Sequence, residues 1–265
     1  MSSELESPTT GIASHSAEDV FIRGTSLCKE LIGQRSFTEV MYFQILGRMP
    51  TPDQAILLDA CLVALMEHGL TPSVLAARLT YSSAPEALQG AVAAGLLGVG
   101  SRFVGSMEGC AALLQRIVAA EDDDAEASRI AVEHRAARTP LPGFGHPTHK
   151  PDDPRAQRLL ELARDRNVAG RHVAAIIALS NAIDATYGRH ITINATGAIA
   201  AVLGDCGVPA AIARGFGLIA RCAGLVGHLY EEQQKPTLRA VWEAAEKAVP
   251  YKPPSPRVGE GQDGG

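Results

Sequence analysis

Apolar residues recur at three- and four-residue spacing along most of this chain, the period of helices laid against a core. Val40, Phe43 and Leu46 share one face, and Ser36 with Glu39 gives the reciprocal capping signature, so a helix is predicted over Ser36–Leu46. Thr51-Pro52-Asp53 opens the next, with Ile56, Leu57, Ala60, Val63 and Ala64 as its apolar face. Thr71-Pro72-Ser73 repeats that opening. Further helices are predicted over Pro85–Leu97, Ala112–Ala120, Asp124–Ala137, Asp153–Asn167, Ala169–Tyr187, Thr196–Leu203, Pro209–Glu232 and Pro236–Val249. The helix from Asp153 is strongly amphipathic, setting Leu159, Leu160 and Leu162 against Arg155, Arg158 and Arg164. Only His190–Ile193 has strand character, and it is too short to define a sheet. The pattern predicts an all-α fold.

Both ends break the pattern. Residues 1–17 are rich in Ser, Thr, Glu and Gly, and residues 250–265 in Pro, Gly and charge, so both are expected to be disordered tails. The 265 residues carry 24 Lys+Arg against 29 Asp+Glu, a formal charge of −5. That balance gives no general attraction for nucleic acid or anionic lipid, and an anionic substrate needs local arginines. The five cysteines are scattered without metal-ligand spacing, as suits reduced thiols in a cytoplasmic protein. The polar, acidic start lacks the order of a signal peptide, and no run approaches the roughly 18 uninterrupted apolar residues of a membrane span.

The segment departing furthest from helical packing runs from Leu141 to Arg155, LPGFGHPTHKPDDPR. Glycines and prolines bracket His146, His149, Lys150 and Arg155 just before a helix. Glycine lets a ligand approach the backbone and proline pre-sets a turn, so this loop is the natural place for a site. His146 and His149 at i, i+3 offer a metal only two ligands, with no third at suitable spacing, so no metal is expected. Gly98-Val99-Gly100 lacks the third glycine and preceding strand of a dinucleotide fingerprint. Cys110 and Cys222 sit in apolar helical contexts and read as core.

The stretch PGFGHPTHKPDDPRA resembles the G-[FIY]-G-H-x-V-x-K-x-x-D-P-R signature of the citrate synthase family. Other elements follow in that family's order. Met66-Glu67-His68-Gly69 resembles its DH[EG] motif, and Gly95 to Gly105 the segment before its first active-site histidine. Ile193-Asn194-Ala195-Thr196-Gly197 resembles its N-V-D segment, and Arg221 to His228 its R-x-x-G-x-x-[AG]-H helix. The resemblance covers roughly residues 23–249. It is nearer the short citryl-CoA lyase branch, which includes the C-terminal module of ATP-citrate lyase. That branch carries G-D-R-F-G-G, which Gly100-Ser101-Arg102-Phe103-Val104-Gly105 resembles, and a Y-R-H-P-W element, which Leu238-Arg239-Ala240-Val241-Trp242 resembles.

The resemblance implies a large helical domain (18–104 and 198–249) with a smaller inserted helical domain (105–197), in a homodimer whose site lies between them. His146 matches the histidine that polarises the ketone in condensation and takes the hydroxyl proton in cleavage. His68 matches one that hydrogen-bonds the substrate. Arg155 and Arg221 match carboxylate-binding arginines, and Arg239 one that reaches the partner subunit's site. Phe103, Asn194 and Thr196 fall at substrate positions. Gly143, Gly145, His149 and Lys150 resemble the segment that wraps coenzyme A, which enters as part of the substrate rather than as a tightly bound cofactor.

The departures select a direction. The family's aspartate, its carbon acid/base, falls on Thr196, which does not titrate near neutrality. The histidine that holds the enolate oxygen in synthases falls on Phe103, and His149 replaces an aromatic residue. Condensation must deprotonate the methyl of acetyl-CoA, whereas cleavage begins at a tertiary hydroxyl, so losing the carbon base damages synthesis more. The expected activity is cleavage of citryl-CoA, or a related 3-hydroxy-3-carboxyacyl-CoA, to a 2-oxo acid such as oxaloacetate and an acyl-CoA such as acetyl-CoA. The rivals are a citrate or 2-methylcitrate synthase-type condensation and a weakened paralogue that only binds a CoA thioester.

Overall fold

The first two α-helices begin where the sequence supplies a cap. The Ser36 hydroxyl accepts the Glu39 amide and the Glu39 carboxylate accepts the Ser36 amide, opening α1 (Phe37–Leu46). Thr51 and Gln54 form the same reciprocal pair before α2 (Pro52–Met66). In this computed structural model, which describes residues 7–100 and 104–253, nine more α-helices follow. They are α3 (Pro72–Ser83), α4 (Leu88–Leu97), α5 (Ser106–Ala119), α6 (Asp123–Ala137), α7 (Pro154–Asp165), α8 (Arg171–Tyr187), α9 (Ala195–Asp205), α10 (Ala210–Gln234) and α11 (Leu238–Ala248). The all-α expectation holds.

Contacts group the chain into two units. The first takes in the residues up to Gly69 and Val99–Gly224; the second takes in Leu70–Gly98 and the chain from Leu225. These boundaries differ from the 105–197 insertion that the resemblance implies. The first unit is built around α9, whose Ala195 and Ala198–Leu203 are all buried. Small side chains let α5, α7 and α8 pack on it, with α6 behind α8. In the second unit α3 packs on α4 around Val74, Ala77, Ala91, Leu225 and Leu229. Its buried Arg78 pairs with the equally buried Glu232, Nη1 to Oε2 at 2.9 Å.

Three details differ from the sequence pattern. Residues 13–15, assigned by composition to a loose leader, form β1 (Ala13–His15), which pairs antiparallel with β2 (Val20–Ile22); β2 pairs with β3 (Thr25–Ser26). Backbone pairing with β2, which turns into β3 at Arg23-Gly24, both at positive φ, holds the exposed β1 without apolar alternation. Helix α5 starts six residues before Ala112, because Met107, Cys110, Leu114 and Ile117 are all buried along it. Of the segment read as strand-like, Ile193 makes a single antiparallel bridge to Phe144. Helix α10 has the length and mean hydropathy, 1.4, of a membrane-crossing helix. Its buried Phe216, Ala220, Leu225 and Leu229 spend that apolarity on the cores of their units, and Arg214 and Arg221 interrupt it.

Candidate active site

The Leu141–Asp153 loop joins α6 to α7 and rests on the start of α9. Gly143 has φ +84°, and a Cβ there would lie 2.5 Å from Cys110 Sγ and 2.9 Å from Gly197 Cα. Only glycine satisfies both the backbone angle and the space. Three hydrogen bonds then tie the loop to the segment before α9. The Asn194 amide donates to Gly143 O (3.0 Å), the Gly145 amide to Thr192 O (2.8 Å), and Asn194 Nδ2 to Gly145 O (3.0 Å). His146 follows directly, on a backbone with little freedom to move.

Its ring is held from behind. The amides of Thr148 and His149 both donate to His146 Nδ1, at 3.1 and 3.0 Å. A nitrogen accepting two N–H groups carries no proton, so the neutral ring has its hydrogen on Nε2. Burial, His149, Arg155 and His68 lower the imidazole's pKa against the opposing pull of Asp153, so the neutral form prevails near pH 7. Arg155 Nη2 lies 3.5 Å from Nε2. With hydrogens on both nitrogens, two donors stand side by side, a pairing that one oxygen between them would satisfy. In this tautomer Nε2 is a donor, and Nδ1, the ring's acceptor nitrogen, is engaged by the two amides.

Two further imidazoles converge here. His149 stacks on His146 with ring centroids 4.3 Å apart and planes at 30°. His68 stands edge-on to both, at 5.6 and 5.9 Å. His68 follows the end of α2, where Glu67 Oε1 accepts its amide and that of Gly69. One nitrogen from each ring lies within 4.8 Å of the others. A metal would need bare lone pairs about 2 Å away. The donor set does not fit one: His146 holds its proton on Nε2, the charge of Arg155 bears on His146 and His68, and that of Arg221 bears on His68.

Arg221, on α10, is 7% exposed and its Nη1 has no hydrogen-bond partner among the described residues. Burial and Arg155 lower its pKa, with Glu67 opposing. A buried guanidinium with an unmet donor calls for an anion. Beside His146, a cavity of about 350 Å³ is lined by Gly145, Lys150, Pro151, Arg189, His190 and Thr192, among others. Its cationic lining suits a phosphorylated group.

A model of the citrate synthase C-terminal domain matches residues 33–240. The chain belongs to the citrate synthase family. Curated relatives named putative citrate synthase 2, from Mycobacterium bovis and Mycobacterium tuberculosis, are 30% identical over 220 residues. The chain spans only 56% of their length. Citryl-CoA lyase from Hydrogenobacter thermophilus superposes with a TM-score of 0.85 at 32% identity, over 94% of this chain and 96% of that one. ATP citrate lyase from Methanosaeta concilii, solved with (3S)-citryl-CoA, gives 0.75 at 19% identity over 95% and 43%, a likeness of fold.

Among the positions carried over from the citrate synthase family, His68, His146, His149, Arg155 and Arg221 gather at this site, with Gly143, Gly145, Asn194 and Lys150 in the loop and its supports. Thr196, in the first turn of α9, donates to Asn194 Oδ1 at 2.7 Å and lies 2.9 Å from the Ser106 hydroxyl. It stiffens the Asn194 cap, which also holds Gly145 O. Arg239 belongs to the other unit, 93% exposed on α11 and paired with Glu243. Phe103 lies outside the described residues. Of the two acids nearest the family's missing aspartate in sequence, Asp184 pairs with His190 and Asp205 with His172. Sequence reasoning gave no role to Asp153, Glu67, Arg189 or Ser106. Asp153 carried a readable signal, an Asp just before a helix-opening proline.

Proposed function

We propose that this protein cleaves citryl-CoA, or a close 3-hydroxy-3-carboxyacyl-CoA, to a 2-oxo acid and an acyl-CoA. The carrying observation is that the donors His146 Nε2 and Arg155 Nη2 lie 3.5 Å apart while the buried Arg221 keeps an unmet donor. An alcohol that becomes a ketone needs such donors at its oxygen, and its carboxylates need guanidinium groups. The likeness to citryl-CoA lyase supports the same direction, as does a hydroxyl at Thr196 where condensation requires a carbon base. On this reading His68 assists at the substrate oxygens, and the Lys150–Arg189 cavity takes part of the coenzyme A, which arrives with the substrate. A homodimer in the cytoplasm, completed by the exposed Arg239, and the absence of a resident cofactor belong to the same proposal.

The test is release of oxaloacetate from citryl-CoA by the full chain. Turnover is expected, with a loss of about 10²–10³ in kcat for His146→Ala. Condensation of acetyl-CoA with oxaloacetate exceeding cleavage would favour a synthase. Binding of CoA esters without either reaction would leave a binding paralogue.

A further inference from the structure

We propose that His149 is the base that receives the hydroxyl proton when the carbon–carbon bond is cleaved. The inference rests on the lyase reading above and assigns to a second imidazole the step that His146 is not placed to perform. His146 Nδ1 is taken by two amide donors, and Nε2 already bears a hydrogen. Accepting at Nδ1 would break both amide bonds, and giving up the Nε2 hydrogen would leave an imidazolate. A lone pair has to come from elsewhere.

The alternatives at the site are committed. Asp153 is fully buried, with both carboxylate oxygens engaged by Arg155 and backbone amides. The Thr196 hydroxyl is spent on Asn194. His68 is opposed, as a proton acceptor, by burial and by the charges of Arg155 and Arg221. The His149 ring is half-buried, and among the described residues no hydrogen bond engages either of its nitrogens. The amide of His149 is itself one of the two that pin His146 as a donor. The bond from the His149 amide therefore helps to fix the donor's tautomer, and the ring it carries lies against His146 at 4.3 Å. One His149 nitrogen lies within 4.8 Å of a His146 nitrogen on the stacked ring, a span that one oxygen about 2.7–3.0 Å from each can bridge.

The proton passes from the tertiary hydroxyl to His149 as the oxygen's electrons close the ketone. The bond between the carbinol carbon and the thioester α-carbon breaks, and its electron pair becomes the thioester enolate. The imidazolium returns its proton to that carbon, directly or through water, and His149 ends neutral. No co-reactant is consumed. This also supplies the carbon acid that Thr196 does not.

Two variants test it on citryl-CoA. His149→Phe keeps a flat ring against His146 without a lone pair; His149→Ala opens space for added imidazole. Both are expected to lose about 10²–10⁴ in kcat with KM within about threefold, and unchanged thermal melts. Imidazole should return at least about tenfold to His149→Ala and nothing to His149→Phe. A kcat for His149→Phe within about threefold of wild type overturns the inference, as does a folded His149→Ala protein deaf to imidazole. Wild-type protein with no citryl-CoA turnover would instead remove the lyase reading and this step with it.

Discussion

Asp153 grips Arg155 through two hydrogen bonds, Oδ1 to Nε at 3.0 Å and Oδ2 to Nη2 at 2.8 Å, with its carboxylate closed off from solvent. The same carboxylate accepts the amides of Arg155 and Ala195, at 3.0 and 3.1 Å. One side chain thus fixes the start of α7, the start of α9 and the guanidinium beside His146. Burial pushes its pKa up, but the bonds from Arg155 and Ala195 outweigh that and hold it below the ordinary value.

Asp153→Ala is therefore expected to cost about 3–5 kcal/mol, because it removes a helix cap and strands a partly buried guanidinium. Urea unfolding reads the loss. In the protein that remains folded, the KM for citryl-CoA should rise as Arg155 loses its aim. A loss under about 1 kcal/mol with unchanged KM would refute this role.

The two loop glycines are expected to differ. Gly143→Ala meets both a left-handed backbone and the Cys110 side chain, for a loss of about 2–5 kcal/mol. Gly145→Ala has φ +78° but open space around the added methyl, so about 1–2 kcal/mol is expected. Denaturation of the two variants side by side decides; equal losses would contradict the packing of Gly143 against Gly197.

His190 bridges two acids, with Nδ1 2.6 Å from Asp184 and Nε2 3.1 Å from Asp152, and these bonds raise its pKa. A raised folded pKa stabilises fully below the unfolded value, about 6.5, and the benefit is lost as pH rises through the folded value. The melting-temperature gap between wild type and His190→Gln should therefore be widest below about pH 6 and close as pH rises through the raised folded value. Added salt should narrow the acid-side gap, because the bridge is half exposed. A gap that ignores pH would mean that His190 acts by shape alone.

Local chemistry was readable where local chemistry decides. Ser36 with Glu39 and Thr51 with Gln54 announce α1 and α2, since such caps are written within four residues, and Pro72 at the first turn announces α3, where Thr71 makes no side-chain cap. The loop carrying His146 announced itself by glycine and proline. The convergence of His68 on His149 was not legible, because it joins a turn after α2 to a loop after α6, and no spacing rule spans that distance. The same limit led His146 and His149 to be set aside as a pair without a third imidazole. The tautomer of His146 was equally hidden, for it depends on two amides whose directions only the folded loop defines. Strand β1 was missed because its exposed residues carry no alternation to read.

The hydroxyl at position 196 has a consequence for the loop. Asn194 already turns its carbonyl oxygen towards that side chain and its NH₂ towards Gly145 O. A side chain at 196 that does not donate leaves that oxygen without its partner, while the NH₂ of the same amide still holds the loop beneath His146. Any change at position 196 therefore also tests the fastening of that loop.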